Sequence, residues 1–123
     1  MKYFSVIIFL IATIACSKSA NNSSTGLIGK WQLKETLNDP GDGSGTWMNV
    51  NSGDYITFTT DSTVLSNSFT TGDVTHFSLP NDSTIFFIYP TTIIKNYYKI
   101  TGNQLTLTGG CIEACGSKYA KVF

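Results

Sequence analysis

Cysteine is the residue type with the most chemistry to offer here, and two of the three cysteines stand together in Cys111-Ile112-Glu113-Ala114-Cys115. Thiols at this spacing can close a small disulfide ring, join a metal site or act as a redox pair. Zinc wants four ligands, and His76 is the single histidine the chain could add; thioredoxin-like exchange uses two intervening residues where this segment has three. His76 itself has no serine or cysteine motif around it and no carboxylate placed to orient it, so no general base stands out. It shares a strand face with Val74 and Ser78 and reads as solvent-facing. Asp39, Asp42 and Asp54 flank a glycine-rich stretch, as oxygen ligands for calcium would, yet the spacing lacks the alternating ligands and closing Glu of a calcium loop. No catalytic residue, metal or cofactor is expected. Trp47 and Met48 are large apolar side chains directly after a glycine-rich loop, and such residues either tuck into a core or line an opening.

The third cysteine carries different chemistry. Met1 and Lys2 precede an apolar run over residues 3–15, which is the layout of a secretory signal. The run falls short of the ~20 residues that a membrane-spanning helix needs. It ends in Thr13-Ile14-Ala15-Cys16, which resembles the lipobox of bacterial lipoproteins, with Thr13 where that motif usually has Leu. The resemblance implies that residues 1–15 are a removed signal peptide, that Cys16 is lipidated, and that the chain meets the membrane through this anchor. Ser17 is not the Asp that commonly retains such lipoproteins at the inner membrane, and no acidic surface-export run follows Cys16. The implied location is the outer membrane, facing the periplasm. With Cys16 committed to lipid in an exported chain, Cys111 and Cys115 form an even pair, and a disulfide is expected, contributing about 2 kcal/mol for so short a loop.

Residues 16–26 are small and polar and read as a flexible tether. Residues 27–123 then make one domain of about a hundred residues, too few for a second core. Such a domain buries only about 60 to 65 per cent of its unfolded surface, so one covalent staple matters. The sequence contains no arginine, which removes the usual bidentate contact to phosphate and guanine and argues against nucleic acid as a partner. Threonine, serine, glycine and asparagine are plentiful and alanine and glutamate scarce, a balance that suits strands and turns.

Alternation opens the domain: Leu27, Gly29, Trp31 and Leu33 share one face, Lys30, Gln32 and Lys34 the other. Residues 38–45 read as a loop and 46–50 as irregular chain after it. Residues 55–59 return as 63–67, and residues 74–79 return as 84–89 across a turn at 80–83. Residues 97–101 return as 104–108 across Gly102-Asn103, a two-residue turn that sets Tyr98 and Ile100 against Leu105 and Leu107. Residues 118–123 form the last strand. Eight short strands linked to nearest neighbours predict an all-β, antiparallel, up-and-down barrel of eight strands rather than a sandwich with long crossings.

Gly29-Lys30-Trp31 resembles the Gly-x-Trp signature of the lipocalins. The layout of residues 27–123 is similar to the lipocalin-like domain of small lipoproteins from Bacteroidetes-type bacteria. The features that carry this likeness are Asp42-Gly43-Ser44-Gly45 leading to Trp47, the Phe58-Thr59-Thr60-Asp61 hairpin and the ending from Tyr98 to Cys115. The second lipocalin motif, around Thr-Asp-Tyr, is missing, and Lys118 or Lys121 would have to stand in for the late Arg that covers the Trp. The resemblance implies that Trp31 plugs a closed end, and a barrel of eight strands is either filled by its side chains or holds one small ligand. Walls for a ligand would be Trp31, Ile56, Phe58, Tyr98, Ile100, Leu105 and Leu107, with Trp47 and Met48 as an apolar lid. The expected function is a monomeric, non-enzymatic, lipid-anchored envelope barrel that binds a small apolar or amphipathic molecule. The alternative is a filled barrel that contacts another envelope protein through its loops. A hydrolase reading has no nucleophile motif in its favour.

Overall fold

The structure, a computed structural model, describes residues 24–68 and 74–123; the expected signal, the expected lipidation site Cys16 and most of the expected tether lie outside the described residues. Ser24–Leu27, where residues 24–26 are expected as flexible tether and Leu27 as the start of the first strand, makes one helical turn instead, α1, and the strand begins at Gly29. Strands follow as β1 (Gly29–Asn38), β2 (Thr46–Asn49), β3 (Tyr55–Phe58), β4 (Val64–Ser66), β5 (His76–Asn81), β6 (Thr84–Ile88), β7 (Ile93–Thr101), β8 (Gln104–Gly109) and β9 (Cys115–Val122). Their order, β4-β3-β1-β9-β8-β7-β6-β5 with β2 beside β1, is a meander wound into a ring in which β1 meets β9. At the seam β4 and β5 are joined by a bridge between Thr63 and His76. Two hydrogen bonds support it, Val64 N–H to Thr75 O at 3.0 Å and Phe77 N–H to Ser62 O at 2.9 Å. The sheet is therefore a nearly closed antiparallel barrel, and the all-β expectation holds.

Nine strands form where the sequence predicts eight, but they fill eight positions round the ring. β3 pairs with the first half of β1, from Gly29 opposite Phe58 to Gln32 opposite Tyr55, and β2 with the second half, from Glu35 opposite Asn49 to Asn38 opposite Thr46. The two short strands are thus one strand interrupted at residues 50–54. Hydrogen bonds bracket the interruption, Val50 N–H to Lys34 O at 2.7 Å and Leu33 N–H to Asp54 O at 2.8 Å. The expectation of irregular chain over residues 46–50 is overturned, because the ten-residue β1 offers a free edge as soon as the glycines end at Gly45.

At the same level β1 carries a bulge against β9, where Leu33 opposes Tyr119 and Glu35, with Lys34 skipped, opposes Lys118. A bulge shifts the alternation by one residue. Leu33 therefore faces inward with Tyr119, both buried, while Glu35 and Leu37 face outward. The predicted turn at 80–83 is shorter in fact, since β5 runs to Asn81 with an irregularity between Ser78 and Asn81 that tolerates Pro80. β9 begins at Cys115, three residues earlier than predicted.

The two ends of the ring differ. One end holds α1, the turns at 59–63, 82–83 and 102–103, and the largest fully buried side chains, Leu27, Trp31, Ile56, Phe58, Ile85 and Leu105. Phe58 there meets the edge of Phe77 at 5.1 Å and stacks on Phe87 at 6.2 Å. Each such side chain contributes about 1.5 to 3 kcal/mol through burial. The other end, the mouth, carries the connections 39–45, 89–92 and 110–114, which are longer on average.

Candidate functional site: a cavity at the barrel mouth

Trp31 closes the packed end. Its Nε1–H donates to Leu27 O at 2.7 Å, and Lys121 Nζ stands 4.9 Å from the ring while donating to Gly26 O and Ile28 O at 3.0 Å each. Lys121 is thus the lysine that covers Trp31. Phe58 is 1 % exposed and Tyr98 5 %, so Trp31, Phe58 and Tyr98 fill the lumen rather than line an opening.

Trp47 lies elsewhere. It opposes Leu37, which the β1 bulge has turned outward, and its indole crosses the outer face to Gly116 of β9. A Cβ on Gly116 would come 2.7 Å from Trp47 Cη2, so only glycine lets the ring lie there. Lys118 Nζ sits 4.2 Å above the indole and 2.7 Å from Glu35 Oε2. Met48, on the opposite face of β2, is 55 % exposed. Trp47 therefore takes neither of its two expected places, in the core or as a lid over the lumen, because the bulge sets it on the outer face.

Above the packed end the upper halves of β1 and β6 to β9 line a half-open cavity of about 390 Å³. Phe87, Ile94 and Leu107 supply apolar wall, Tyr89 and Tyr119 aromatic wall, and Thr36, Asn96 and Ser117 polar groups. Its rim includes Asn38, Gly109, Gly110, Cys111 and Cys115. Of the predicted walls only Leu107 is among them. None of the described lining residues carries a formal charge. Burial pushes the Tyr119 phenol above its ordinary value, an effect that its hydrogen bond with Ser117 opposes. A second hollow of about 440 Å³, between the turn at 59–62 and β5, is an open surface groove lined by Ile28, Thr59, Thr60, Ser62, Phe77, Ser78 and Leu79.

Two devices frame the mouth. Cys111 and Cys115 are joined as a disulfide, as the sequence predicts. Asp39, 6 % exposed, gathers the glycine loop around its carboxylate: Oδ1 accepts Gly41 N–H at 2.8 Å and Gly43 N–H at 3.1 Å, and Oδ2 accepts Gly45 N–H at 3.0 Å. These bonds, led by that from Gly41, hold its pKa below the ordinary 3.8. Its own N–H donates to Ala114 O at 3.0 Å, which ties the glycine loop to the disulfide loop. The Asp39 carboxylate is thereby spent on backbone. No three His, Cys, Asp or Glu side chains among the described residues are placed to hold a metal ion. His76 is exposed, with Nδ1 3.0 Å from Thr75 Oγ1, whereas Val74 is buried, so the predicted shared face breaks where β5 begins.

The cavity residues that sequence reasoning missed did leave a signal. Asn96 and Ser117 are polar residues at inward positions, in register with Gly109 and Leu107, and on β7 the other inward residues, Ile94, Tyr98 and Ile100, are large and mostly apolar. Comparison with family models, with curated proteins and with solved structures finds no match to this chain.

Proposed function

We propose that this chain is a non-enzymatic, lipid-anchored barrel of the cell envelope that binds one small, largely apolar molecule at its mouth. The observation that carries the reading is the cavity of about 390 Å³, with Phe87, Ile94 and Leu107 beside a few convergent polar groups. That volume and that mixture are what small-molecule sites usually show. The anchor rests on the lipobox-like Thr13-Ile14-Ala15-Cys16. The outer-membrane location, facing the periplasm, rests on Ser17, which stands where a lipoprotein kept at the inner membrane commonly has Asp. The lipocalin-like reading draws support from a plugged Trp31 end opposite an open one.

Native mass spectrometry of protein purified from its own membranes tests the binding. A retained small molecule is expected, and Ile94→Trp, which fills the cavity, should lose it. A chain that carries no copurified molecule and shows no thermal shift with fatty alcohols, sterols or isoprenoids would sink the proposal. Membrane association in turn should vanish in Cys16→Ser. A rival reading, a module that docks on another envelope protein, draws on apolar side chains exposed on loops and edges toward the mouth: Met48, Ile93 at 63 % and Ile112 fully exposed. Ile93→Lys together with Ile112→Lys leaves ligand retention intact on the first reading.

A further inference from the structure

Asn96 sits inward on β7 opposite Gly109 and lines the mouth cavity. Its Oδ1 is buried and accepts no hydrogen bond from any described residue. A buried amide oxygen without a donor bears its full desolvation penalty, so native proteins rarely leave one. The surrounding chain keeps side chains away from this amide. Gly109 offers no side chain across the ladder, and Gly110 passes so near that a Cβ there would stand 2.6 Å from Oδ1. Oδ1 lies against Gly110, and it meets a ligand in the cavity once the amide turns about its terminal torsion, which is broad in asparagine.

The rest of the lining restricts what could supply the donor. Thr36, Asn38, Tyr89, Ser117 and Tyr119 are neutral polar groups, and the remaining wall is apolar, glycine or the two disulfide cysteines. A carboxylate, phosphate or ammonium entering this space would shed hydration with no counter-charge to receive it. We infer that the ligand is an uncharged amphiphile whose O–H or N–H donates to Asn96 while its apolar body lies against Phe87, Ile94 and Leu107. Long-chain alcohols and primary amides belong to this class; free fatty acids do not. The inference rests on the cavity being a ligand site.

Titration of the full chain with three probes of ten carbons each, 1-decanol, methyl nonyl ether and decanoate at neutral pH, tests it. Decanol should bind roughly tenfold tighter than the ether, which accepts but does not donate, and decanoate should bind at least tenfold more weakly than decanol. Asn96→Leu should bring decanol to within about twofold of the ether and leave the ether unchanged. Equal binding of decanol and ether overturns the donor, and equal binding of decanoate overturns neutrality. A uniform loss of all three probes in Asn96→Leu makes Asn96 a structural residue only and also overturns it. Should Asn96→Leu fail to fold, the ranking of the three probes on the unaltered chain decides. If none of the three binds, the ligand-site reading itself falls, and this inference with it.

Discussion

The longest strands, β1, β7 and β9, run from the packed end to the mouth, yet the two ends are stabilised in different ways. At the packed end connections are short, and Trp31, Phe58, Ile56 and Leu105 fill the lumen. At the mouth the same strands end in longer loops and smaller or polar inward residues, and a disulfide and the Asp39 carboxylate do the holding. Apolar filling needs no directional partner but leaves no space. Stapling the rim restrains loops while keeping a hollow beneath them, so the division separates stability from binding along one barrel.

The sharpest way to break this contrast is at Trp31. Trp31→Ala should cost about 3 to 5 kcal/mol in denaturant unfolding, through lost burial and a cavity at the packed end. A cost below about 2 kcal/mol would mean the packed end is not the stability centre. At the mouth, replacing Cys111 and Cys115 with Ser should cost about 2 kcal/mol and lower Tm by roughly 8 to 16 °C. Hydrogen exchange should quicken over residues 110–114 and leave the amides around Trp31 slow; a uniform rise would erase the distinction. Gly116→Ala should cost about 1 kcal/mol, the low end for overpacking, because Trp47 can swing off the surface. In a Trp31→Phe background the emission of Trp47 should then shift to the red.

The smallest effect belongs to Asp39. Its pKa is lowered on folding, so the stability it lends is fully present above the ordinary value of 3.8 and is lost as pH falls through the lower folded value. Protection of the Gly41, Gly43 and Gly45 amides should hold at neutral pH and fade in acid. Asp39→Asn should weaken that protection at neutral pH and remove most of its pH dependence, while the packed end stays unchanged.

The sequence makes the hairpins legible because turn chemistry is local. Gly102, at φ 57°, and Asn103 turn between strands that pair Tyr98 with Leu107 and Ile100 with Leu105, as alternation alone predicts. Trp31 at the closed end is legible only through the resemblance of Gly29-Lys30-Trp31 to the lipocalin signature, and the Cys111–Cys115 bond through the spacing and count of the cysteines. The cavity is not, since alternation tells which face a residue takes but not how high it stands in the barrel. Trp47 is misplaced by a single skipped residue, Lys34, whose bulge exists only through the register of β1 with β9. Nothing within residues 27–38 announces it, and the seat that Gly116 provides for the indole lies far along the chain.

The ladder between β1 and β9 also sets a timetable. Hairpins from β5 to β8 can zip within microseconds of being made, whereas β1 waits for a partner that pairs Trp31 with Lys121 and Asn38 with Cys115. Contacts of such wide sequence separation slow folding. Until β9 arrives, the long edge of β1 and the indole of Trp31 stand open to other chains, the condition under which strand edges aggregate. A chain cut before Cys115 should therefore precipitate rather than fold partway, although every hairpin in it is intact.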